Sequence, residues 1–421
     1  MSKASWSAPQ AKGFKASLRL PGSKSLTNRE LVLSALANRE STLLDPLYSR
    51  DTQLMIEALN QLGTRFEKSG NQLRVIPGTL QGGVKIECGL AGTVMRFIPP
   101  LAALAQGEIT FDGDAQARRR PMATTIDSLR KLGVSVFSDD DSLPFSISAT
   151  GAVKGGEVSI DASASSQFVS GLLLSGARYD SGLVIRHTGQ SVPSLPHIDM
   201  TLTCLAQRGV LAKAKEQAIW QVMPGEVSGA EIEIEPDLSN AGPFLAAAAI
   251  TGSEISIPWP KQTTQVGDQF KKLLAQMGAD VSEKDGKLVV RGTGKIHGLS
   301  ADLSEAGELV PTIAAIAALA DSPSELTGIS HLRGHETDRI AALVNEINAI
   351  GGSATELEDG ISISPGKLHG GLWKTYEDHR MATAGAIIGL VVEGIEIQDI
   401  SVTSKTMPDF SALWFEMLES N

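Results

Sequence analysis

The sequence has very little cysteine: Cys88 and Cys204 are the only two among 421 residues. Neither stands in a CxxC or Cys/His spacing, which argues against a thiolate zinc site and against a disulfide framework. Reduced, unpaired thiols are typical of a cytoplasmic protein, and we expect that location. The sequence therefore predicts no metal centre built on cysteine.

An excess of positive charge is also missing, since the formal net charge is -11. General binding to nucleic acid or to an anionic membrane needs a broad positive field, so we expect neither partner. No apolar stretch is long enough to span a bilayer; the longest, residues 88–107, is interrupted by Arg96 and by Pro99 and Pro100. The polar first thirteen residues do not resemble a secretory signal.

What the chain has instead is internal repetition, in units of about 70 residues. Each unit opens with an apolar helical stretch, a glycine or polar turn, and a β-like run. The six copies are Leu31–Leu44, Met95–Phe111, Phe168–Arg186, Pro243–Ile257, Thr312–Ile329 and Met381–Ile400. Because 421 residues exceed what one hydrophobic core usually supports, the six α/β units predict two domains of three units each.

A second pattern follows five of the units: a helix that ends near Leu-Gly or Met-Gly, then a β-hairpin. The predicted hairpin turns are residues 68–71, 139–142, 213–216, 284–287 and 358–360. The sixth unit has no such hairpin. We expect the N-terminal strand Phe14–Leu20 to complete it and so to join both ends of the chain in one domain.

Small or polar residues precede every predicted helix, and a helix N-terminus attracts anions through its unpaired N–H groups. Ser239 and similar residues are ordinary N-cap candidates, and capping alone is the expectation for them. Recurrent helix starts around one place would nevertheless create a positive site within an acidic protein. The cations that would reinforce it are Lys24, Arg29, Arg96, Arg120, Arg339, Arg380 and Lys405. Arginine favours carboxylate and phosphate, so small polyanionic substrates are indicated.

Taken together, these segments resemble the enolpyruvyl transferase family, and within it the members that act on shikimate 3-phosphate. The matching stretches are Leu20–Arg29, Leu90–Arg96, Arg120–Pro121, Ser165–Gln167, Glu336–Arg339, Asp378–Met381 and Ser404–Asp409. They occur in the family's order along nearly the whole chain. Each alone is a weak signal, whereas the ordered set is specific.

The resemblance implies a two-domain inverse α/β barrel, with three repeats in each domain. Residues 1–21 and 237–421 would form one domain, residues 22–236 the other, and the substrates would bind in the interdomain cleft. The implied reaction moves the enolpyruvyl group of phosphoenolpyruvate to the 5-hydroxyl of shikimate 3-phosphate and releases phosphate. No metal or organic cofactor is implied, and the expected state is a monomer.

Site residues follow from the matched positions. The resemblance assigns shikimate 3-phosphate to Lys24, Ser25, Arg29, Ser165, Ser166, Gln167, Ser194, Glu308 and His335. It assigns phosphoenolpyruvate to Lys24, Gly92, Arg120, Gln167, Arg339, Arg380 and Lys405. The catalytic candidates are Glu308 as the base for the hydroxyl, with assistance from Lys24, and Glu336 as the acid to the methylene carbon.

Several positions depart from the family pattern, and two other functions remain open. Leu90, His197, Glu308, His331 and His335 stand where Asn, Tyr, Asp, Asn and Lys are common. One alternative is transfer to UDP-N-acetylglucosamine, but residues 113–121 lack the cysteine usual in that enzyme. The other is a non-catalytic phosphometabolite sensor, which would have lost the acid and base residues that are present here.

Overall fold

A computed structural model describes residues 5–11 and 13–420 of the chain. The chain divides into two compact units. We call Gly22–Glu235 the inserted unit, and Met1–Pro21 with Pro236–Asn421 the terminal unit. In the described part of the chain, no helix combines the length and the apolar composition that crossing a lipid bilayer requires.

The helices alternate along the chain between deeply buried and partly exposed ones. In chain order they are α1 (Lys24–Ala35), α2 (Arg50–Gln61), α3 (Gly92–Ala102), α4 (Ala123–Lys131), α5 (Gln167–Gly176), α6 (Pro196–Gln207), α7 (Leu238–Thr251), α8 (Phe270–Gln276), α9 (Val310–Ala317), α10 (Arg339–Ala349), α11 (His379–Gly389) and α12 (Phe410–Glu419). Short 3-10 turns precede α8 and α9.

The strands of the described residues are short and fall into six sheets. In chain order they are β1 (Trp6–Ser7), β2 (Lys15–Ser17), β3 (Ser41–Leu44), β4 (Arg65–Ser69), β5 (Gln72–Ile76), β6 (Val84–Glu87), β7 (Gln106–Asp112), β8 (Ser135–Ser138), β9 (Phe145–Thr150), β10 (Gly156–Ile160), β11 (Leu183–His187), β12 (Ala212–Glu216), β13 (Ile219–Val222), β14 (Glu231–Glu233), β15 (Glu254–Pro258), β16 (Asp280–Lys284), β17 (Lys287–Arg291), β18 (Ser300–Asp302), β19 (Ser324–Thr327), β20 (Ser353–Leu357), β21 (Gly360–Ser364), β22 (Gly371–Trp373) and β23 (Ile395–Ile397).

Each of the six predicted repeats has a sheet of its own, which confirms the α/β repeat architecture. The inserted unit holds the sheets β14-β3-β5-β4, β6-β7-β9-β8 and β10-β11-β13-β12. The terminal unit holds β16-β17-β15-β2, β18-β19-β21-β20 and the three-stranded β1-β23-β22. Every four-stranded sheet contains one parallel pair and two antiparallel pairs, so helix crossovers and hairpins alternate along the chain.

Helices that connect the two strands of a parallel pair, such as α3 between β6 and β7, lie in the interior of each unit. Every residue of α3 and of α9 is buried, as expected for a helix that is apolar on nearly all sides. Helix α3 packs against α5, and α9 packs against α11. Strands such as β5 and β9 alternate buried and exposed residues, so each sheet has one face on these helices and one face to solvent. Each unit thereby has its own hydrophobic core.

Two expectations from the sequence are wrong in detail. The strand β2, from the predicted segment Phe14–Leu20, pairs with β15 of the fourth repeat and not with the sixth. The sixth sheet is completed by β1, at Trp6–Ser7. In addition, the predicted turn at residues 213–216 is part of strand β12, because the chain reverses two residues later, at Gln217 and Ala218.

A buried ion pair fixes helix α1 inside the inserted unit. The Arg208 guanidinium lies 2.6 Å from Glu30 Oε2, and both side chains are essentially inaccessible. Arg208 also donates to the hydroxyls of Ser34 and Ser41. Breaking such a pair on one side costs about 3–5 kcal/mol, so α1 is held firmly, and its first residue is the predicted site residue Lys24.

Candidate active site

Three of the predicted phosphoenolpyruvate residues meet at the start of helix α3. A β-carbon on Gly92 would lie 2.9 Å from Gln167 Oε1 and 3.1 Å from Arg120 Nη2. Arg120 in turn donates to the carbonyl of Leu90 over 3.2 Å. Only glycine leaves the backbone at position 92 open to these two side chains. The first N–H groups of α3, a guanidinium and an amide therefore face the same small volume, which suits an anion.

Lys24 begins helix α1 and is held by a buried carboxylate. The hydroxyl of Ser23 caps the helix by accepting the Leu26 N–H, and Lys24 Nζ lies 3.2 Å from Asp51 Oδ2. Asp51 is in the first turn of α2, and its side chain is only 3% exposed. The lysine is thus oriented, and its charge is balanced before any substrate enters.

Arg29 lies one turn further along α1 and makes several contacts to the protein. Its guanidinium donates to Thr201 Oγ1 over 2.8 Å and to the backbone oxygens of Ser25 and His197 over 2.9 Å each. The residue is 2% exposed. These bonds join the starts of α1 and α6, so the arginine holds two helix N-termini in register in addition to its predicted role.

Three of the four predicted serine ligands lie on two neighbouring loops. Ser165 and Ser166 precede α5, and the Gln167 N–H donates to Ser165 Oγ over 3.2 Å. Ser194 precedes α6 and has a left-handed backbone, with φ of +54°. A non-glycine residue rarely adopts that conformation unless its surroundings impose it. Both loops leave the carboxyl ends of β10 and β11, a parallel pair, which is where α/β sheets usually bind ligands.

In the terminal unit, Glu336 is surrounded by cations. Its carboxylate pairs with Arg339, and its Oε1 accepts a hydrogen bond from Lys405 Nζ over 2.6 Å. The Glu336 side chain is 11% exposed and that of Lys405 only 7%. The acid and the arginine of one predicted motif and the lysine of another are therefore in direct contact in this unit.

Arg339 also binds Asp378, which orients it at the start of α10. Its Nε lies 2.7 Å from Asp378 Oδ2, and its Nη2 lies 3.2 Å from Oδ1. Burial would lower the pKa of Arg339, but the carboxylates of Asp378 and Glu336 outweigh that effect and hold the pKa above its usual value. The arginine remains charged at any physiological pH.

The backbone before Asp378 is also held in an unusual conformation. Tyr376 and Glu377 both have positive φ, of 52° and 57°, although neither is glycine. The Tyr376 hydroxyl donates to Glu346 Oε1 over 2.6 Å. This turn places Asp378 as the N-cap of α11, where its Oδ1 also accepts the Arg380 N–H over 2.8 Å.

Glu308 lies in the 3-10 turn just before α9 and is 22% exposed. Its Oε1 accepts a hydrogen bond from the hydroxyl of Ser239, and its Oε2 lies 3.6 Å from Arg380 Nη2. The capping role expected for Ser239 is wrong, because Asp237 caps α7 through the Asn240 N–H. Ser239 orients the carboxylate of Glu308 instead.

The same backbone turn precedes both a serine loop and the Glu308 loop. Asp161 follows β10 and accepts the Ser163 N–H over 2.9 Å; Asp302 ends β18 and accepts the Ser304 N–H over 2.8 Å. Hydrogen bonds from Ser163 and Ser304 hold the pKa of each aspartate below its usual range. The repeat thus reuses one turn to place different side chains.

His335 and His331 lie beside Arg339. His335 Nδ1 is 3.2 Å from Arg339 Nη1, and the two imidazole rings are 5.6 Å apart. His331 Nε2 would lie 2.6 Å from a β-carbon on Gly307, the residue before Glu308. Burial lowers the pKa of His331 to about 4, so it packs there as a neutral ring.

Because His331 is neutral in the folded chain and titrates near its ordinary value when unfolded, it should make folding stability pH-dependent. Between pH 6.5 and 4 the unfolded chain binds the extra proton, so the free energy of unfolding falls as the pH falls through that window. We expect His331→Gln to remove part of this loss. Urea denaturation of both proteins at pH 7, 6 and 5 measures it.

The difference in the free energy of unfolding between His331→Gln and the parent should therefore narrow or reverse as the pH is lowered. His297 is a matched control, since its ring is half exposed and paired with Asp321. An unfolding free energy whose pH slope is the same in His331→Gln and in the parent would contradict this prediction.

Glu336, Asp378 and His379 have ligand atoms within 4.8 Å of one another, the spacing of a metal site. The carboxylates in this group already face cations, however. Arg339 binds both Glu336 and Asp378, and Lys405 binds Glu336. A divalent ion here would lie against two fixed positive charges, which the donor set does not favour. Arg339 and Lys405, which these carboxylates hold in place, are better suited to bind an anion.

Some residues of the site were not recognised from the sequence. Asp378 resembles an ordinary N-cap, and nothing local shows that it also binds Arg339, 39 residues away. The contact from Ser239 to Glu308 spans 69 residues. The one local signal was that Arg339 follows Glu336 by only three residues, although Glu336 lies before the start of α10.

Comparisons with known proteins agree with this geometry. The family model described as EPSP synthase (3-phosphoshikimate 1-carboxyvinyltransferase) matches residues 9–414. A curated 3-phosphoshikimate 1-carboxyvinyltransferase of Kocuria rhizophila is 53% identical over 430 aligned positions, which cover 99% of this chain and 97% of that protein.

Solved structures show the same fold at lower identity. An EPSP synthase from Acinetobacter baumannii superposes with a TM-score of 0.81 at 24% identity, over 98% of each chain. The enolpyruvyl transferase NikO from Streptomyces tendae superposes with a TM-score of 0.78 at 14% identity, over 97% of this chain and 96% of that one. The inverse α/β architecture with repeated units is confirmed by these superpositions.

Proposed function

The chain belongs to the EPSP synthase family and has 3-phosphoshikimate 1-carboxyvinyltransferase activity, and we propose that the predicted site residues described in each unit bind its two substrates. The reaction joins the 5-hydroxyl of shikimate 3-phosphate to C2 of phosphoenolpyruvate. The observation that carries the assignment of roles is the direct contact of Glu336 with Arg339 of its own motif and with Lys405 of a second motif, 69 residues later.

Phosphoenolpyruvate takes its contacts from the groups that converge on Gly92 and from four predicted cations. Arg120, Gln167 and the first N–H groups of α3 bind one end of it. Lys24, Arg339, Arg380 and Lys405 neutralise the remaining charge. Fixed cations of this kind stabilise the phosphate and carboxylate throughout the reaction without reorganising.

Shikimate 3-phosphate takes its phosphate contacts from hydroxyls of the inserted unit. Ser165, Ser166 and Ser194 lie on the two loops that leave β10 and β11, with Gln167, Lys24, Ser25 and Arg29 at the adjoining helix starts. Glu308 takes the proton of the 5-hydroxyl. The Ser239 hydroxyl donates a hydrogen bond to one oxygen of its carboxylate, and the carboxylate can still accept a proton. His335 contributes a contact beside Arg339.

Two proton movements at C3 of phosphoenolpyruvate then require Glu336. As the C2–O bond to the acceptor forms, C3 gains a proton and becomes a methyl group. When the bond from C2 to phosphate breaks, the methyl group loses one proton and the double bond returns. In the free site Arg339 and Lys405 favour the ionised form of Glu336. Substrate anions on these cations weaken that hold, so that Glu336 enters the reaction protonated, gives its proton to C3 as the methyl group forms, and takes one back when the double bond returns.

The division of labour predicts separate changes in the two Michaelis constants. Ser194→Ala should raise the KM for shikimate 3-phosphate about three- to tenfold, because it removes one hydrogen bond to that substrate. Arg120→Lys should raise the KM for phosphoenolpyruvate about tenfold, since lysine cannot reproduce a bidentate contact. Release of inorganic phosphate, with each substrate varied in turn, measures both constants.

Equal rises in both Michaelis constants for either variant would contradict this assignment. The acceptor is tested in the same assay: phosphate release is expected with shikimate 3-phosphate and not with UDP-N-acetylglucosamine.

We further propose that the chain works as a monomer in the cytoplasm. Burial raises the pKa of the thiols of Cys88 and Cys204, which keeps both in the unreactive thiol form.

A further inference from the structure

Two substrate-binding loops of the inserted unit begin side by side. The parallel strands β10 and β11 end at Ile160 and His187, which pair with each other. Residues 161–166 follow the first strand and carry Ser165 and Ser166; residues 188–195 follow the second and carry Ser194. The distance between these serines therefore depends on what holds the two loop bases together.

His187 bonds directly to the other loop. The backbone N–H of Ala162 donates to His187 Nδ1 over 3.1 Å. Nδ1 must then be unprotonated, so the neutral ring carries its proton on Nε2. That Nε2 is buried and has no acceptor among the residues that the structure describes. A buried donor without a partner costs stability, so plain packing would favour an apolar residue at this position.

Gly189 brings the second loop into contact with the first. A β-carbon at this position would lie 2.1 Å from Ser163 Oγ, 2.2 Å from Asp161 Oδ1 and 2.6 Å from the His187 ring. All three distances are shorter than real atoms tolerate. Asp161 has little freedom to move aside, since it accepts the Ser163 N–H. Any side chain at residue 189 would force the loops apart.

We propose that Asp161, His187 and Gly189 form a loop clasp: a set of positioning residues that fixes the spacing of the two serine loops, and so the affinity for the phosphate of shikimate 3-phosphate. The clasp rests on the proposed role of Ser165, Ser166 and Ser194 as ligands of that substrate. Its residues act through the loops and touch no reacting atom. Equivalent aspartate turns occur elsewhere in the repeat, as at Asp302, whereas the bridging histidine belongs to this one.

The test compares two substitutions of the same residue. His187→Leu removes the acceptor and should raise the KM for shikimate 3-phosphate about three- to tenfold, with kcat and the KM for phosphoenolpyruvate within twofold. His187→Asn keeps an acceptor near the Nδ1 position and should restore most of the loss. Steady-state phosphate release gives the constants, and titration calorimetry gives the dissociation constant of shikimate 3-phosphate alone.

Gly189→Ala is an independent second variant and should raise the same KM about tenfold or more, because loop displacement misplaces the ligands. His297→Leu, at a half-exposed histidine of the terminal unit, is the control with parental constants. An unchanged KM in His187→Leu and Gly189→Ala beside a raised KM in Ser194→Ala would overturn the clasp alone. An unchanged KM in Ser194→Ala would overturn the assignment of these loops to shikimate 3-phosphate. Equal losses in His187→Leu and His187→Asn would show a purely structural residue and overturn the clasp.

Discussion

Replacing Glu336 by glutamine is expected to lower kcat by about 10²–10⁴-fold, the usual contribution of a general acid or base. The amide keeps the size of the side chain and its place between Arg339 and Lys405, but it cannot deliver a proton to C3. The Michaelis constants of both substrates should change by less than about threefold. Steady-state phosphate release measures kcat and both constants.

A more direct measurement follows the proton itself. Since C3 becomes a methyl group and then returns to a methylene, turnover in heavy water places deuterium in the product and in recovered phosphoenolpyruvate. In Glu336→Gln this incorporation should slow together with kcat. Glu356→Gln is a matched control, as Glu356 also pairs with an arginine, Arg333, on an exposed part of the same unit. Incorporation at the parental rate, or a loss confined to KM, would exclude Glu336 as the proton donor.

Replacing Glu308 by glutamine should reduce kcat by a similar factor, about 10²–10⁴-fold, because the 5-hydroxyl then loses its base. Glu308→Asp provides the contrast: it keeps the carboxylate, one methylene shorter, and should retain activity within about tenfold of the parent. The acidic limb of the pH–rate profile should persist in the aspartate variant and disappear in the glutamine variant. Phosphate release over a series of pH values records both effects.

Ser239→Ala tests how much the orientation of the Glu308 carboxylate contributes to catalysis, apart from the carboxylate itself. Losing the hydroxyl that donates to Glu308 Oε1 should lower kcat by no more than about tenfold, since one hydrogen bond is removed and the base remains.

If Glu308→Gln and Glu308→Asp lost activity equally, the length of the side chain would matter more than its charge. Glu308 would then be a binding residue and not the base.

Much of the fold was predictable because its signals are local. Apolar helices such as α3 and α9, and stop glycines such as Gly133 and Gly278 with positive φ, show their structure within a few residues of sequence. The partner of the N-terminal strand was not predictable, because β2 joins β15 some 240 residues later in the chain. Periodicity shows that a strand exists but does not show which strand it pairs with.

The site residues also divide into those with a local sequence signal and those without one. Residues at helix starts, such as Lys24 and Gln167, were found because they lie in short segments that match the family's motifs. The carboxylates that neutralise the arginines were harder to find. Asp378 serves as a helix cap in any local interpretation, and only the folded chain shows that it also binds Arg339. Pairing between distant motifs depends on packing that one sequence does not display.

The aspartate turn shared by the loops at Asp161 and Asp302 has a consequence for how such a protein diversifies. After the first turn come hydroxyls, at Ser165 and Ser166; after the second comes a carboxylate, at Glu308. The residues that shape the backbone are thus distinct from those that carry the chemistry. A change of side-chain charge after this turn leaves the hydrogen bond of the turn itself intact. One backbone turn therefore serves a neutral, hydroxyl-rich loop in one repeat and an acidic loop in another.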